Sequence, residues 1–423
     1  MEEIDEGPND IESPYDLMLE LGGFSLSPLR CIYRVPRRLR QGNDDEAYTP
    51  QVVSIGPLHH GREHLNAMEY HKKRYLRDFL HRNQLNLEIY KMKIKGQEDR
   101  LRKCYAEPIG YSSEEFVRII LVDAAFIIEF LWRYNSPKFQ DEDDYIFNKP
   151  WMDDDVSVDL RMLENQLPLF ILEDLFVPEK YFDYPDKPSI ISLSYAVFKT
   201  TFFTAGAKDF VLEGKSSSEV KHFVDLIRTS CLPSKLKSER EVKTINTPSI
   251  TELHRAGIKL RAGSTNNLFD IGFADGTLEI PRLEISDDTE VLIRNLIAFE
   301  QCHYEEKYIS DYVSLMDCFV NTPKDVELLV QYDIVENWLS DNSEVSTLIN
   351  KLGKGVSIND NNFYFATVVE DLNSHCGTRW NKWKANLRQN YFNTPWAIIS
   401  FVAAVFLLIL TFIQTVCSII SIA

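Results

Sequence analysis

The sequence predicts a mainly α protein: one large helical domain with a small β-hairpin or meander insert and one C-terminal transmembrane helix. Three observations lead there. Apolar residues recur at spacings of three and four through most of the chain, behind recognisable helix-start signals. One short stretch alternates instead around an Asp-Gly pair. From Trp396 to Ala423 there is no charged side chain. The 423 residues carry 46 Lys and Arg against 64 Asp and Glu, a net charge of −18, with 44% apolar and 26% charged residues. Those fractions are globular and exclude a mostly disordered or fibrous chain. The acid excess argues against general nucleic-acid binding, which needs net positive charge. Seven cysteines, an odd number with no CxxC pair, exclude a disulfide scaffold and a zinc ribbon.

In chain order, residues 1–16 hold seven acids and no base, together with Pro8 and Pro14. They read as a disordered acidic tail, and lack the basic start and apolar stretch of a signal peptide. A helical body is expected over 17–393. Gly61 to Arg82 puts Leu65, Met68, Lys72, Tyr75, Leu76 and Phe79 on one helical face. Ser112 and Glu115 form a capping box that opens Phe116 to Tyr134. Ser216 and Glu219 repeat it ahead of Val220, Phe223, Val224 and Ile227. Ser249 and Glu252 open a short helix that Gly257 closes in the left-handed conformation. Thr322 before Pro323 starts another, and Ser343 to Leu352 ends at Gly353. Between them, Ile271 to Ile280 alternates around Asp275-Gly276, which pairs Phe273 with Leu278 and Ile271 with Ile280, and Ile258 and Leu260 are available for a third strand. Residues 136–155 and 233–248 are polar linker candidates.

The C-terminal span is expected over 396–420, with Trp396, Phe401, Val405, Leu408 and Phe412 in the anchor. About 20 helical residues cross the roughly 30 Å hydrocarbon core, and the large apolar side chains favour insertion by about 3–6 kcal/mol in sum. The basic flank Arg379, Lys382, Lys384 and Arg388 predicts a single-pass, tail-anchored protein with its N-terminal body in the cytosol, held in the plasma membrane or an endomembrane. Asn246, Asn321 and Asn393 each sit in Asn-Thr-Pro, which is not a glycosylation acceptor and agrees with a cytosolic body.

Each candidate motif for chemistry is incomplete. Gly214-Lys215-Ser216 resembles the end of a phosphate loop, but Asp209 stands where that loop needs glycine. GxSxG, HExxH and GxGxxG are absent. His59, His60, His64 and His71 lack the ligand count a metal requires. The runs Asp141–Asp144 and Asp153–Asp155 lack the alternation of a calcium loop and read as solvated charge. No catalytic residue, cofactor or metal is therefore expected. Arg30, Arg34, Arg37, Arg38 and Arg40 begin a basic stretch that reaches Lys103, for which pairing with the acids near 141–155 is favoured over docking to an acidic partner or anionic lipid. Glu164, Asn165 and Gln166, at the expected end of a helix before Pro168, and Asn295, Glu300 and Gln301, in a later helix, interrupt apolar runs. A carboxylate in such a place can be a general acid. The expected reading is a cluster of buried, hydrogen-bonded groups that fix helix register.

Ile32-Tyr-Arg-Val-Pro36, Tyr48-Thr-Pro-Gln-Val-Val-Ser-Ile-Gly-Pro57-Leu-His-His60, Met68-Glu69, Leu163-Glu-Asn-Gln-Leu-Pro168, Glu252-Leu-His-Arg-Ala-Gly257, Ile280-Pro281, Arg294-Asn-Leu-Ile-Ala-Phe-Glu-Gln301 and Pro395-Trp396 occur in that order. Together they resemble the plant family known as domain of unknown function 247, of the UPF0481 type, from about Cys31 to the C-terminus. Leu58 stands where an aromatic is common, and Ala124 where a glycine usually follows the aspartate. The resemblance implies a plant-specific, mostly helical, C-terminally anchored protein without established enzymatic activity. Some grass members lie at self-incompatibility loci and are regarded as candidate recognition determinants. The functional expectation is a membrane-anchored protein-interaction or recognition module that meets lipid through its C-terminal helix and an unidentified protein through its body. The alternatives are an enzyme using buried Glu164 or Glu300, and a peripheral sensor of anionic lipid.

Overall fold

The computed structural model describes residues 27–40, 44–149, 151–182, 187–198, 220–233, 244–265, 267–359, 362–377 and 395–422. The acidic tail 1–16, the cap expected at Ser216 and Glu219, and Arg379, Lys382, Lys384 and Arg388 lie outside the described residues.

The first half of the fold is α1 (Asn66–Asn83), α2 (Leu87–Lys95), α3 (Glu98–Arg102), α4 (Ser113–Asn135), α5 (Met152–Asp159), α6 (Leu169–Leu175) and α7 (Ile190–Phe198). Helix α4 is its axis. The Ser112–Glu115 capping box opens it, and burial is continuous from Ile119 to Arg133. A helix that is apolar on every side must be covered on every side, and α1, α2, α6 and α7 all pack against it. Helix α1 begins five residues after the expected start at Gly61, behind a 3-10 turn at Glu63–Leu65, and ends where Gln84 turns left-handed (φ 54). Helix α5 ends at Asp159, so Glu164, Asn165 and Gln166 occupy irregular turns beyond it and not a helix end.

The second half follows with α8 (Phe223–Cys231), capped by His222, and α9 (Ile250–Arg255), opened by the Ser249–Glu252 box and followed by Gly257 at φ 96. Strands β1 (Lys259–Ala262), β2 (Gly272–Ala274), β3 (Thr277–Ile280) and β4 (Leu283–Ile285) come next. Then come α10 (Thr289–His303), α11 (Tyr308–Phe319), α12 (Pro323–Gln331), β5 (Val335–Asn337), α13 (Asn342–Leu352), α14 (Ala366–Gly377) and α15 (Pro395–Ile422). The expected hairpin forms: β2 and β3 are antiparallel with Phe273 opposite Leu278, and Asp275 and Gly276 both take positive φ (50 and 72), as a two-residue turn of the primed type requires. The third strand is not a meander strand. β1 lies parallel to β3, Leu260 beside Leu278, in the order β1-β3-β2. β4 and β5 form a second, parallel pair that alternation over three residues is too short to announce.

The C-terminal expectation needs correction. Among the described residues no helix is long and apolar enough to cross a membrane. Side chains of α15 are described from 399 to 414. The transmembrane helix, and with it the anchor assigned to Trp396, Phe401, Val405, Leu408 and Phe412, is withdrawn. Phe401, Val405, Leu408 and Phe412 are exposed.

Candidate functional site

Residues 49–60 cross the protein without regular secondary structure, yet Val53, Ser54, Ile55, Gly56 and His59 are buried. Buried backbone outside a helix or sheet has no ladder, so side chains must supply its partners. Four do so here. Asp159 accepts from the N–H groups of Gln51 (2.9 Å), Val52 (2.7 Å) and Val53 (2.8 Å). Asn165 accepts from the N–H of Ile55 at 2.7 Å and donates to the carbonyls of Val53 and Asp159, both at 3.0 Å. Lys72 donates to the carbonyl of Ser54 at 2.7 Å and to Asp123 at 2.6 Å, and also contacts Glu69. Asp123 accepts from the N–H of Gly56 at 2.8 Å.

Of the six polar residues expected as a cluster, Glu164, Asn165, Gln166 and Asn295 bond the backbone in and around these turns, while Glu300 and Gln301 meet separately at Ser310. Glu164 accepts from the N–H of Val35 at 2.7 Å and pairs with Arg40, with Arg34 at 3.5 Å and with the ring of His59 at 3.2 Å. Gln166 donates to the carbonyls of Leu160 and Met162 (2.7 and 2.8 Å) and accepts from the N–H of Phe223 at 3.0 Å, which ties the turn to the start of α8. Asn295 accepts from Leu163 N–H at 2.9 Å and donates to the carbonyl of Ala47 at 2.8 Å. Glu300 accepts from Arg228 at 3.0 Å and from the N–H groups of Ile309 (3.1 Å) and Ser310 (3.0 Å), so it caps α11. Gln301 accepts from Arg38 at 2.7 Å and donates to the carbonyl of Ser357 at 2.9 Å.

Protonation behaviour follows from these contacts. Burial drives the Glu164 carboxyl upward, but His59, the Val35 N–H and the Arg40 charge outweigh it and hold it below the usual carboxylate range. Burial raises Glu300, opposed only in part by Arg228 and two backbone N–H groups. Burial also lifts Asp123 and Asp159 to about 6, against Lys72 in the first case and three N–H groups in the second. A general acid needs a raised pKa and an opening to substrate. Glu164 lacks the raised pKa, and both carboxylates are saturated with partners. One depression of ≈ 320 Å³ is lined by Asp287, Glu290, Asp341, Glu344 and Lys351 among others, and one of ≈ 160 Å³ by Asp78, His81, Arg82, Arg133, Phe139 and Asp141. Neither includes Glu164 or Glu300. Among the described residues no group of three or more His, Cys, Asp or Glu side chains is placed to hold a metal ion.

The basic stretch pairs internally, but with other partners than expected. Arg34 meets Glu107 and Glu164, Arg40 meets Asp45 and Glu164, and Arg38 meets Gln301, while Arg74 reaches the acidic run at Asp141. That run is not wholly solvated. Asp144 is buried, 2.6 Å from Arg133 and 2.9 Å from the Tyr75 hydroxyl.

One surface feature escaped sequence reasoning because its members come from an amphipathic helix and from a segment read as a linker. Tyr70 is 74% exposed and meets His71 edge-on at 5.5 Å; His71 stacks on Tyr145 at 4.1 Å. Lys149 Nζ sits 3.7 Å from the centre of the Tyr145 ring and 5.5 Å from that of Trp151, which is 53% exposed. The faint signal was the density of aromatics flanking the acidic run.

The model of a plant family, DUF247, described as plant protein of unknown function, matches residues 32–410. The chain is similar to the UPF0481 protein At3g47200 of Arabidopsis thaliana, at 29% identity over 92% of this chain and 86% of that protein. It is also similar to a second UPF0481 protein of the same plant, At3g02645, at 24% identity over 90% of this chain and 89% of that one. No solved structure matches the chain.

Proposed function

The chain belongs to the DUF247 family of plant proteins, a family of unknown function, and on that premise we propose that it is a protein-interaction module that docks a partner through the ladder Tyr70, His71, Tyr145, Lys149 and Trp151. The observation that carries this reading is the exposure of Tyr70, Tyr145 and Trp151 around the His71–Tyr145 stack, with Lys149 over the Tyr145 ring. Trp and Tyr are the side chains most often found at the energetic centre of interfaces. Rings held by their neighbours lose little further rotamer freedom when a partner covers them. The saturated carboxylates agree with a scaffold, since Glu164 and Glu300 spend their lone pairs on holding backbone.

The test is capture of partners from plant cells by the full-length protein with covalent proximity labelling, in parallel with Trp151→Ala and Tyr145→Ala. A hot-spot residue costs about 2 kcal/mol or more on truncation, so the labelled partner should fall by roughly 30-fold in affinity while the exposed Trp151 substitution leaves folding within about 0.5 kcal/mol. Equal labelling by wild type and both variants would remove the ladder from the interface.

A further inference from the structure

Away from the ladder and the polar cluster, the fold brings two thiols together. Cys31 and Cys104 are both free and buried, at 2% and 3% exposure. The N–H groups of Cys31 and Ile32 both donate to the carbonyl of Cys104 at 2.9 Å, the N–H of Ala106 returns to Ile32 at 2.8 Å, and Ile32 pairs with Tyr105 as a parallel bridge. Laterally paired residues on such neighbouring strands lie roughly 5 Å apart at Cα, inside the range of about 4.4–6.8 Å that a disulfide spans. The Cys104 thiol donates to the carbonyl of Arg100 at 3.4 Å, and each of the two thiols shifts the other's protonation.

We propose that Cys31 and Cys104 form a peroxide-responsive dithiol that closes into a disulfide and locks the segment 31–40 to the end of α3. Cys104 is the nucleophile. The neighbouring Cys31 holds its thiol below the usual value against the effect of burial, with help from the Arg100 and Lys221 charges, while Cys31 is pushed up by Cys104 and by burial. The Cys104 thiolate attacks one oxygen of hydrogen peroxide, the O–O bond breaks, and hydroxide leaves as water with the proton the thiol gave up. The resulting sulfenic acid lies on the residue laterally beside Cys31. Attack by the Cys31 sulfur forms the S–S bond, breaks the S–O bond, and releases a second water that carries the Cys31 proton. Two thiols lose two electrons and two protons, and one peroxide becomes two waters. Slight exposure of both residues excludes an oxidant of glutathione size, so the oxidant is a water-sized peroxide. The locked segment carries Val35, Arg34 and Arg40, the partners of Glu164, so oxidation ties down the strand that the polar cluster grips.

The full-length chain is reduced, exposed to graded hydrogen peroxide, unfolded, alkylated and mapped by peptide mass. The expected product is one cross-linked peptide pair joining Cys31 to Cys104, two hydrogens lighter than its parts and reversed by dithiothreitol. It should appear at peroxide levels that leave the half-buried Cys302, Cys318 and Cys376 open to alkylation. Cys31→Ser should leave a sulfenic acid on Cys104 that dimedone traps, whereas Cys104→Ser should leave Cys31 reduced. If Cys302, Cys318 or Cys376 oxidise while Cys31 and Cys104 both remain alkylatable in the wild-type chain, the proposal is overturned. Conversion of Cys104 to sulfinic acid beside an unreacted Cys31 overturns it equally, and neither result depends on how the variants fold.

Discussion

Glu164 separates a structural from a catalytic role most sharply, because the two predict opposite signs. Its carboxylate is wholly buried and holds the Val35 N–H, Arg40, Arg34 and His59. Removing one partner of a buried ion pair costs about 3–5 kcal/mol. Here that is discounted to about 2–3, since Arg40 keeps 21% and Arg34 41% of its side-chain exposure and water can solvate both. The orphaned Val35 N–H adds about 1–3 kcal/mol. Glu164→Ala should therefore lose about 4 kcal/mol, and Glu164→Gln, which keeps one acceptor, about half. With a urea slope of about 3 kcal/mol per molar, the alanine variant shifts its midpoint down by roughly 1.3 M. The double variant with Arg40→Ala should lose less than the sum of the two singles, because much of the cost is the charge left unpaired. A catalytic carboxylate behaves differently: its removal commonly leaves stability unchanged or raises it. A Glu164→Ala midpoint at or above wild type would refute the structural account.

Three further predictions concern other buried positions. Asn165→Ala strips partners from one buried N–H and two buried carbonyls and should cost on the order of 3–6 kcal/mol in a urea titration, far beyond an exposed Asn→Ala control. Gly56 sits at φ 71 with the carbonyl of Gln166 2.8 Å from where a Cβ would stand, so Gly56→Ala should destabilise by about 2 kcal/mol or more, read as a lower Tm. Asp311 is raised to about 7 by burial. With a folded pKa above the unfolded one, the native state holds the extra proton and stability falls as pH rises from about 4 to about 7. Asp311→Asn keeps an acceptor for the Tyr364 N–H and should flatten that fall in Tm against pH; an unchanged slope would exclude Asp311 as its source.

Local chemistry was readable and remote pairing was not. The Ser112 and Ser249 boxes, the Asp275-Gly276 turn and the burial of Lys72 at an apolar helical spacing all follow from residues within a few positions of one another. The six residues of the polar cluster were legible as interruptions of apolar runs, since a polar group in such a run must find a partner. Their partners were not, because Val35, Ile55 and Phe223 are reached across long stretches of chain whose approach no periodicity encodes. Asp123 and Asp159 passed unnoticed as binding groups for the same reason. The parallel seating of β1 beside β3 depends on how the connection crosses, and Leu260 satisfies the apolar pattern in either arrangement.

The distribution of polar chemistry bears on function. Glu164, Asn165, Gln166 and Asp159 meet backbone groups of the segments 35–56 and 159–163 and the start of α8. Such bonds cost little while paired and much when broken, so they hold irregular chain as firmly as a helix would. Segments held in this way need no regular structure to be rigid. Helix α1 sends Lys72 inward to the carbonyl of Ser54 and, from the neighbouring positions, Tyr70 and His71 outward to the ladder. The same helix thus clamps the core and presents the rings, and a variant that loosens the clamp should weaken the docking face as well. Lys72→Met, which removes the charge and keeps the chain length, is the perturbation that tests this: it leaves Asp123 without its cation and should lower Tm and partner labelling together. Trp151→Ala should lower labelling alone. If Lys72→Met lowers Tm and leaves labelling at the wild-type level with the protein still folded, core and face are independent and the coupling through α1 is wrong.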